Sequence, residues 1–110
     1  MKLSSSYSRF IHGVIYKEVK AIKKPLYVFD GKFVFRPSGL SMDSVKQLLK
    51  HLDLDYPRED EKVLSITKLD NKQAGDHIEW MIKLLAENGL TFPHIDLEWS
   101  RLMENIRENR

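Results

Sequence analysis

The chain has 110 residues, 42% of them apolar and 31% charged, which fits one globular domain and excludes both a two-core protein and a disordered chain. It has no cysteine, so disulfide frameworks, thiolate metal sites and thiol nucleophiles are excluded together, and the composition leans towards the reducing cytoplasm. The net charge of +2 conceals an imbalance, because residues 1–37 carry eight Lys/Arg against Glu18 and Asp30, whereas residues 38–70 and 71–110 each carry five against seven acidic residues.

A basic N-terminal third of this kind suits an acidic partner, either nucleic acid or a protein surface, but it also simply balances the acidic remainder. The first six residues contain no apolar stretch, and the longest unbroken hydrophobic run spans residues 26–29. Neither a signal peptide nor a membrane span is expected. Residues 1–8 read as a flexible tail, and no internal repeat is apparent.

Residues 9–24 contain several β-branched side chains, but Ile11, Val14, Ile15, Val19 and Ile22 also fall on one helical stripe. The segment is read as a helix, and Arg9, His12, Tyr16, Lys20 and Lys23 would then form a basic ridge on the opposite face. Asp30-Gly31, flanked by residues 26–29 and 32–35, is a strong hairpin signal, since both central positions of a tight turn need positive φ. A two-residue turn pairs Phe29 with Lys32, Val28 with Phe33, Tyr27 with Val34 and Leu26 with Phe35. One face is then apolar (Leu26, Val28, Phe33, Phe35) and the other mixed (Tyr27, Phe29, Lys32, Val34, Arg36).

Ser41 is a good N-cap for a helix from Met42 to about Leu52, with Leu40 placed to pack on Val45. Residues 53–62 read as a solvated loop, and residues 63–69 as a third strand. Asp70 or Asn71 caps a helix running to about Asn88, where Gly89 stops it and Leu90 supplies the accompanying apolar contact. A last helix from about Pro93 to Arg107 presents Ile95, Trp99, Leu102 and Ile106, and should pair antiparallel with its predecessor. The expected fold is a single α+β domain in the order α-β-β-α-β-α-α, with a small antiparallel sheet (hairpin 26–36 plus strand 63–69) packed by three to four helices.

Chemistry is less legible. His12, His51, His77 and His94 form no catalytic pattern, and the five glycines build no phosphate loop. His51, Asp53 and Asp55 would share one face of an extended segment and so could ligate a divalent ion, but their setting fits a helix end followed by solvated turn residues better. A helix-turn-helix reading of residues 84–103 fails on charge, because Asp96, Glu98 and Glu104 would face the phosphates. No catalytic residue, metal or cofactor is therefore assigned.

Two binding surfaces remain. The reading preferred here is a small non-enzymatic protein-binding module of the inhibitor, adaptor or regulatory-subunit type, with Leu97, Arg101 and Met103 off the inner stripe of the last helix and available to a protein partner or a second copy. The alternative is single-stranded nucleic-acid binding, with Tyr27 and Phe29 stacking on bases while Lys17, Lys20, Lys23, Lys24, Lys32 and Arg36 meet phosphates.

Overall fold

The computed structural model describes the backbone of residues 5–108 and the side chains of residues 5–105. It is an α+β fold of four helices and two small antiparallel sheets. The first helix is α1 (Ser5–Phe10), a π turn (Ile11–Ile15) and α2 (Tyr16–Ala21) in continuous succession; β1 (Leu26–Val28) and β2 (Phe33–Phe35) form the first hairpin. Then follow α3 (Met42–Leu52), a second hairpin of β3 (Arg58–Glu59) and β4 (Lys62–Val63), and the long helices α4 (Asn71–Glu87) and α5 (Pro93–Glu108).

The helical reading of residues 9–24 holds as far as Ala21, with Ile11, Ile15 and Val19 buried along its stripe; Ile22, also buried, is already extended and residues 22–24 lie beyond the helix, and the basic ridge is broken. The Tyr16 N–H donates to the Ile11 carbonyl, an i→i+5 bond that adds one residue to the turn and advances the phase by about 100°. Tyr16 thereby swings from the ridge into the core, where it is fully buried beside Val19, while Tyr7 and Phe10 remain inward one turn earlier. The expected tail divides as well: Ser5 to Ser8 are helical and Tyr7 is buried, while residues 1–4 lie outside the described residues.

The hairpin register is Leu26↔Phe35, Tyr27↔Val34 and Val28↔Phe33, as the turn chemistry requires, but Phe29 and Lys32 do not extend the ladder. Phe29 joins Asp30 and Gly31 at positive φ (54°, 55° and 84°), so it leaves the strand and takes part in the turn. Gly31 is the residue best suited to that conformation, and Gly31→Val should destabilise the protein by about 1 kcal/mol or more. A urea midpoint equal to that of the wild type would contradict this turn.

The strand expected over residues 63–69 is replaced by the second hairpin and a 3₁₀ turn over Ile66–Lys68, so the sheets are two separate pairs. The reason lies in spacing. Ile66 and Leu69 are both buried; residues three apart share a face in a 3₁₀ turn but oppose each other in a strand. The stretch read as a solvated loop is instead ordered at Asp53 and Tyr56, both buried, and reverses at Asp60-Glu61, both at positive φ.

These corrections reveal a doubled plan that the sequence conceals. Each hairpin leads through a 3₁₀ turn (Pro37–Gly39, Ile66–Lys68) and a leucine (Leu40, Leu69) to an N-capped helix. Ser41 accepts from the Ser44 N–H, while Asp70 and Gln73 form a reciprocal capping box. Aligned with a one-residue gap at Arg36, the hairpin-to-cap segments 30–41 and 60–70 are identical only at Asp30/Asp60, Lys32/Lys62 and Leu40/Leu69, too little to register as a repeat. The two segments share position-specific backbone conformation and little side-chain identity.

The end of α4 is a Schellman stop: the Leu90 N–H bonds to Leu85 O and the Gly89 N–H to Ala86 O, with Gly89 at φ 73°. α5 then returns across α4 and α1. Ile95 is buried, Trp99 lies over Gly75, where an added Cβ would sit 3.4 Å from its ring, and the same ring stacks on Phe10 at 6.3 Å. Of the stripe expected to face inward, Trp99 and Leu102 are half-buried, and the Ile106 side chain lies outside the described residues.

Candidate functional site

Two arrangements stand out, one at the surface and one inside. Among the described residues the large exposed apolar side chains are Tyr27, Phe29, Phe33 and Val34 on the first hairpin, at 53, 43, 36 and 50% exposure, together with Leu54 and Leu97. Cross-strand alternation was expected to bury Phe33 with Leu26, Val28 and Phe35. Those three are buried, but Phe33 next to the turn is 36% exposed, and its ring lies 6.1 Å from that of Phe35. The mixed face, with Tyr27, Val34, Lys32 and Arg36, is uncovered.

The cations assigned to this surface divide. Lys24 donates to the Asn88 carbonyl at 2.9 Å on the β1 side, and Lys20 donates to Ser38 O at 3.3 Å beyond the end of β2, so both flank the hairpin. Lys32 and Arg36 bracket β2 itself. Lys17 and Lys23 are exposed, with no contact that ties them to the hairpin.

Asn88, which the sequence marks only as part of a helix stop, holds the hairpin in place. Tyr27 N–H donates to Asn88 Oδ1 at 2.8 Å, and Asn88 Nδ2 donates to Tyr27 O at 3.0 Å and to Leu84 O at 2.9 Å. One side chain therefore caps α4 and occupies the outer edge of β1. An open groove beside it is lined by Lys24, Pro25, Tyr27, Asp30, Gly31, Glu87 and Asn88.

On α5, Leu97 is 54% exposed and Arg101 is exposed. Met103 does not join them. It is half-buried, and Tyr7 Oη donates to its Sδ at 4.0 Å. Six residues turn a helix by about 600°, which leaves Leu97 and Met103 on different sides.

The interior arrangement was missed altogether. His77 is 1% exposed; its Nδ1 lies 2.8 Å from Asp53 Oδ2 and its Nε2 3.3 Å from Tyr16 Oη. Tyr56 packs edge-on against the imidazole at 4.7 Å, Trp80 stacks parallel to it at 6.0 Å, and Tyr56 Oη donates to Leu64 O at 2.7 Å. Burial lowers the histidine's pKa and outweighs the raising influence of Asp53, while Lys50 also lowers it. The ring is therefore neutral, donating from Nδ1 to the carboxylate and accepting from the tyrosine, whose own pKa is raised by burial.

Asp53, read as a solvated turn former and possible ligand with His51 and Asp55, is instead turned inward and 4% exposed, while His51 is exposed. No group of three or more His, Asp or Glu placed to hold a metal occurs among the described residues. A signal for the network did exist: His77 lies three residues after Ala74 and four before Met81, inside the apolar stripe of α4.

Above the network, a cleft of about 210 Å³ is lined by Asp53, Asp55, Tyr56, Pro57, Gln73, Asp76, His77 and Trp80. Both imidazole nitrogens are already engaged inside the protein, and no buried side-chain polar atom among the described residues lacks a partner. The arrangement ties the C-cap of α3 to α4 and α2. Elsewhere, His94 pairs with Glu18 at 3.1 Å. No described helix is long and apolar enough to cross a membrane. No protein-family model, curated protein or solved structure matches the chain.

Proposed function

We propose that this protein is a small non-enzymatic protein-binding module, of the adaptor, inhibitor or regulatory-subunit type, whose contact surface is the first hairpin. The observation that carries this reading is the concentration of uncovered apolar side chains there: Tyr27 and Val34 are at least half exposed on one face and Phe33 is exposed on the other. A small domain gains nothing in stability from such side chains, and contiguous exposed apolar surface marks interaction sites. Aromatic residues in particular supply the central anchors of protein interfaces. The surface moves accordingly from α5, where Leu97 and Arg101 lack the support of Met103, to the hairpin.

The double variant Tyr27→Ser, Val34→Ser should keep the wild-type stability to within about 0.5 kcal/mol, since neither side chain is in the core. It should lose the partner that cross-linking and affinity purification recover with the wild type, while Leu97→Ser retains it. The opposite pattern would return the interface to α5.

A second reading, single-stranded nucleic-acid binding, is favoured by one observation: Tyr27 is exposed on the face that alternation shares with Lys32 and Arg36. It predicts binding of a labelled oligothymidylate that weakens steeply with salt, with a smaller slope once Lys32 and Arg36 are neutralised. Absence of binding at low salt removes it.

A further inference from the structure

The two edges of the first hairpin are not equivalent. In an antiparallel ladder, paired residues point their N–H and C=O groups either both towards or both away from each other. Tyr27 sends both groups outward, to Asn88. Its ladder partner is Val34, so Val34 likewise turns its N–H and C=O outward, onto the other edge. The β1 edge is occupied by the Asn88 carboxamide, and among the described residues no side chain bonds the β2 edge at Val34 in this way.

Side chains around that edge restrict what fits. Val34 is half exposed on the face that carries Tyr27, and strand alternation carries that face on to Arg36, which is extended, while exposed Lys32 stands at the turn end of the strand. Asp30, in the turn, is the one carboxylate within residues 26–36. On the opposite face Phe33 offers further apolar surface. A second copy is disfavoured: antiparallel pairing of two β2 strands about Val34 sets Lys32 opposite Arg36 of the other copy at both ends, and directly opposed like charges destabilise a ladder.

We infer that the open edge of β2 receives an extended segment of a partner protein as a third strand, and that this segment is apolar at its centre with an acidic residue two positions to either side. The central residue exchanges both main-chain hydrogen bonds with Val34. Its side chain packs beside Val34 and Tyr27, and the two carboxylates oppose Lys32 and Arg36. Exchange of both bonds with a single residue sets the segment antiparallel to β2. The hydrogen bonds supply attachment and the alternating side chains supply selectivity, as in other cases of strand addition. This inference rests on the hairpin being the protein-contact surface.

The probe is an acetylated and amidated heptapeptide with isoleucine at its centre, valine on either side, glutamate beyond each valine and threonine at the ends. Titrated into the full-length protein at low salt, it should bind with a dissociation constant below about 1 mM. Binding should slow hydrogen exchange at the Val34 amide at least tenfold. N-methylation of the central isoleucine, or lysine in place of both glutamates, should each weaken binding at least tenfold. Binding that survives N-methylation overturns strand addition while leaving the hairpin as a contact surface. No binding of the unmodified peptide at about 1 mM, or a preference for its lysine counterpart, also overturns it. Protection of Val34 that rises with protein concentration and needs no peptide overturns it in favour of a second copy. Failure of the broader hairpin reading shows separately, as a partner retained by Tyr27→Ser, Val34→Ser.

Discussion

Replacing Asp53 by alanine is expected to destabilise the protein by about 3 kcal/mol, because it leaves the His77 Nδ1–H without its acceptor at an almost wholly buried position. The carboxylate and the imidazole are 2.8 Å apart, and each is less than a tenth exposed. Asp53→Asn retains an acceptor and should cost less. Urea denaturation of the three proteins at neutral pH measures the order; equal midpoints would contradict the network.

The same site gives the protein a pH dependence of definite sign. The His77 pKa lies below its ordinary value of 6.5 in the folded state, chiefly through burial. The unfolded chain therefore binds more protons as the pH falls through 6.5, and stability declines from that point downward. His12, lowered by its own burial and by Lys46 and Lys50, acts in the same direction. Between pH 7 and about pH 5.5 the urea midpoint of the wild type should fall, and His77→Gln should fall less steeply, with His12 contributing to what remains.

The second large effect separates two residues that the hairpin register treats as equals. Leu26→Ala should cost about 3 kcal/mol, since Leu26 is fully buried at the base of the hairpin and its removal leaves a cavity. Phe33→Ala, on the nominally same face, should cost less, about 1.5 kcal/mol, because more than a third of that residue is exposed. Thermal midpoints that fall equally would place Phe33 in the core.

Local backbone chemistry was the most legible part of the fold. The Asp30-Gly31 turn, the Ser41 cap with Leu40 before it, the Asp70 cap and the Gly89 stop each depend on a few adjacent residues, and all appear where those residues stand. What escaped depends on the third dimension. An extra residue in the π turn re-aims Tyr16 with no mark in the hydrophobic pattern. The third strand was read from β-branched composition, although the three-residue spacing of Ile66 and Leu69 already favoured a tight turn.

The site residues were legible only in part, for the same reason. Exposure of Tyr27 and Val34 depends on which face the helices choose to cover, and alternation alone does not say. Met103 was grouped with Leu97 because both fall off the inner stripe of the last helix, yet six residues of helix set them on different sides. The Asp53–His77 pair joins residues 24 positions apart, beyond the reach of any local pattern, although the place of His77 within an apolar stripe was a usable sign.

The doubled plan supplies an internal control for the exposed apolar surface. In the second hairpin the residues from Arg58 through Lys62 are all charged and all exposed, while the turn, the leucine and the capped helix that follow repeat the layout of the first. The architecture therefore does not impose a greasy hairpin. Within one polypeptide a hairpin leading through a 3₁₀ turn to a capped helix appears once with charged residues and once with Tyr27, Phe29, Phe33 and Val34, so the exposed apolar side chains are not a requirement of that layout. Exchanging the two decorations would move the exposed apolar side chains to the hairpin that follows α3.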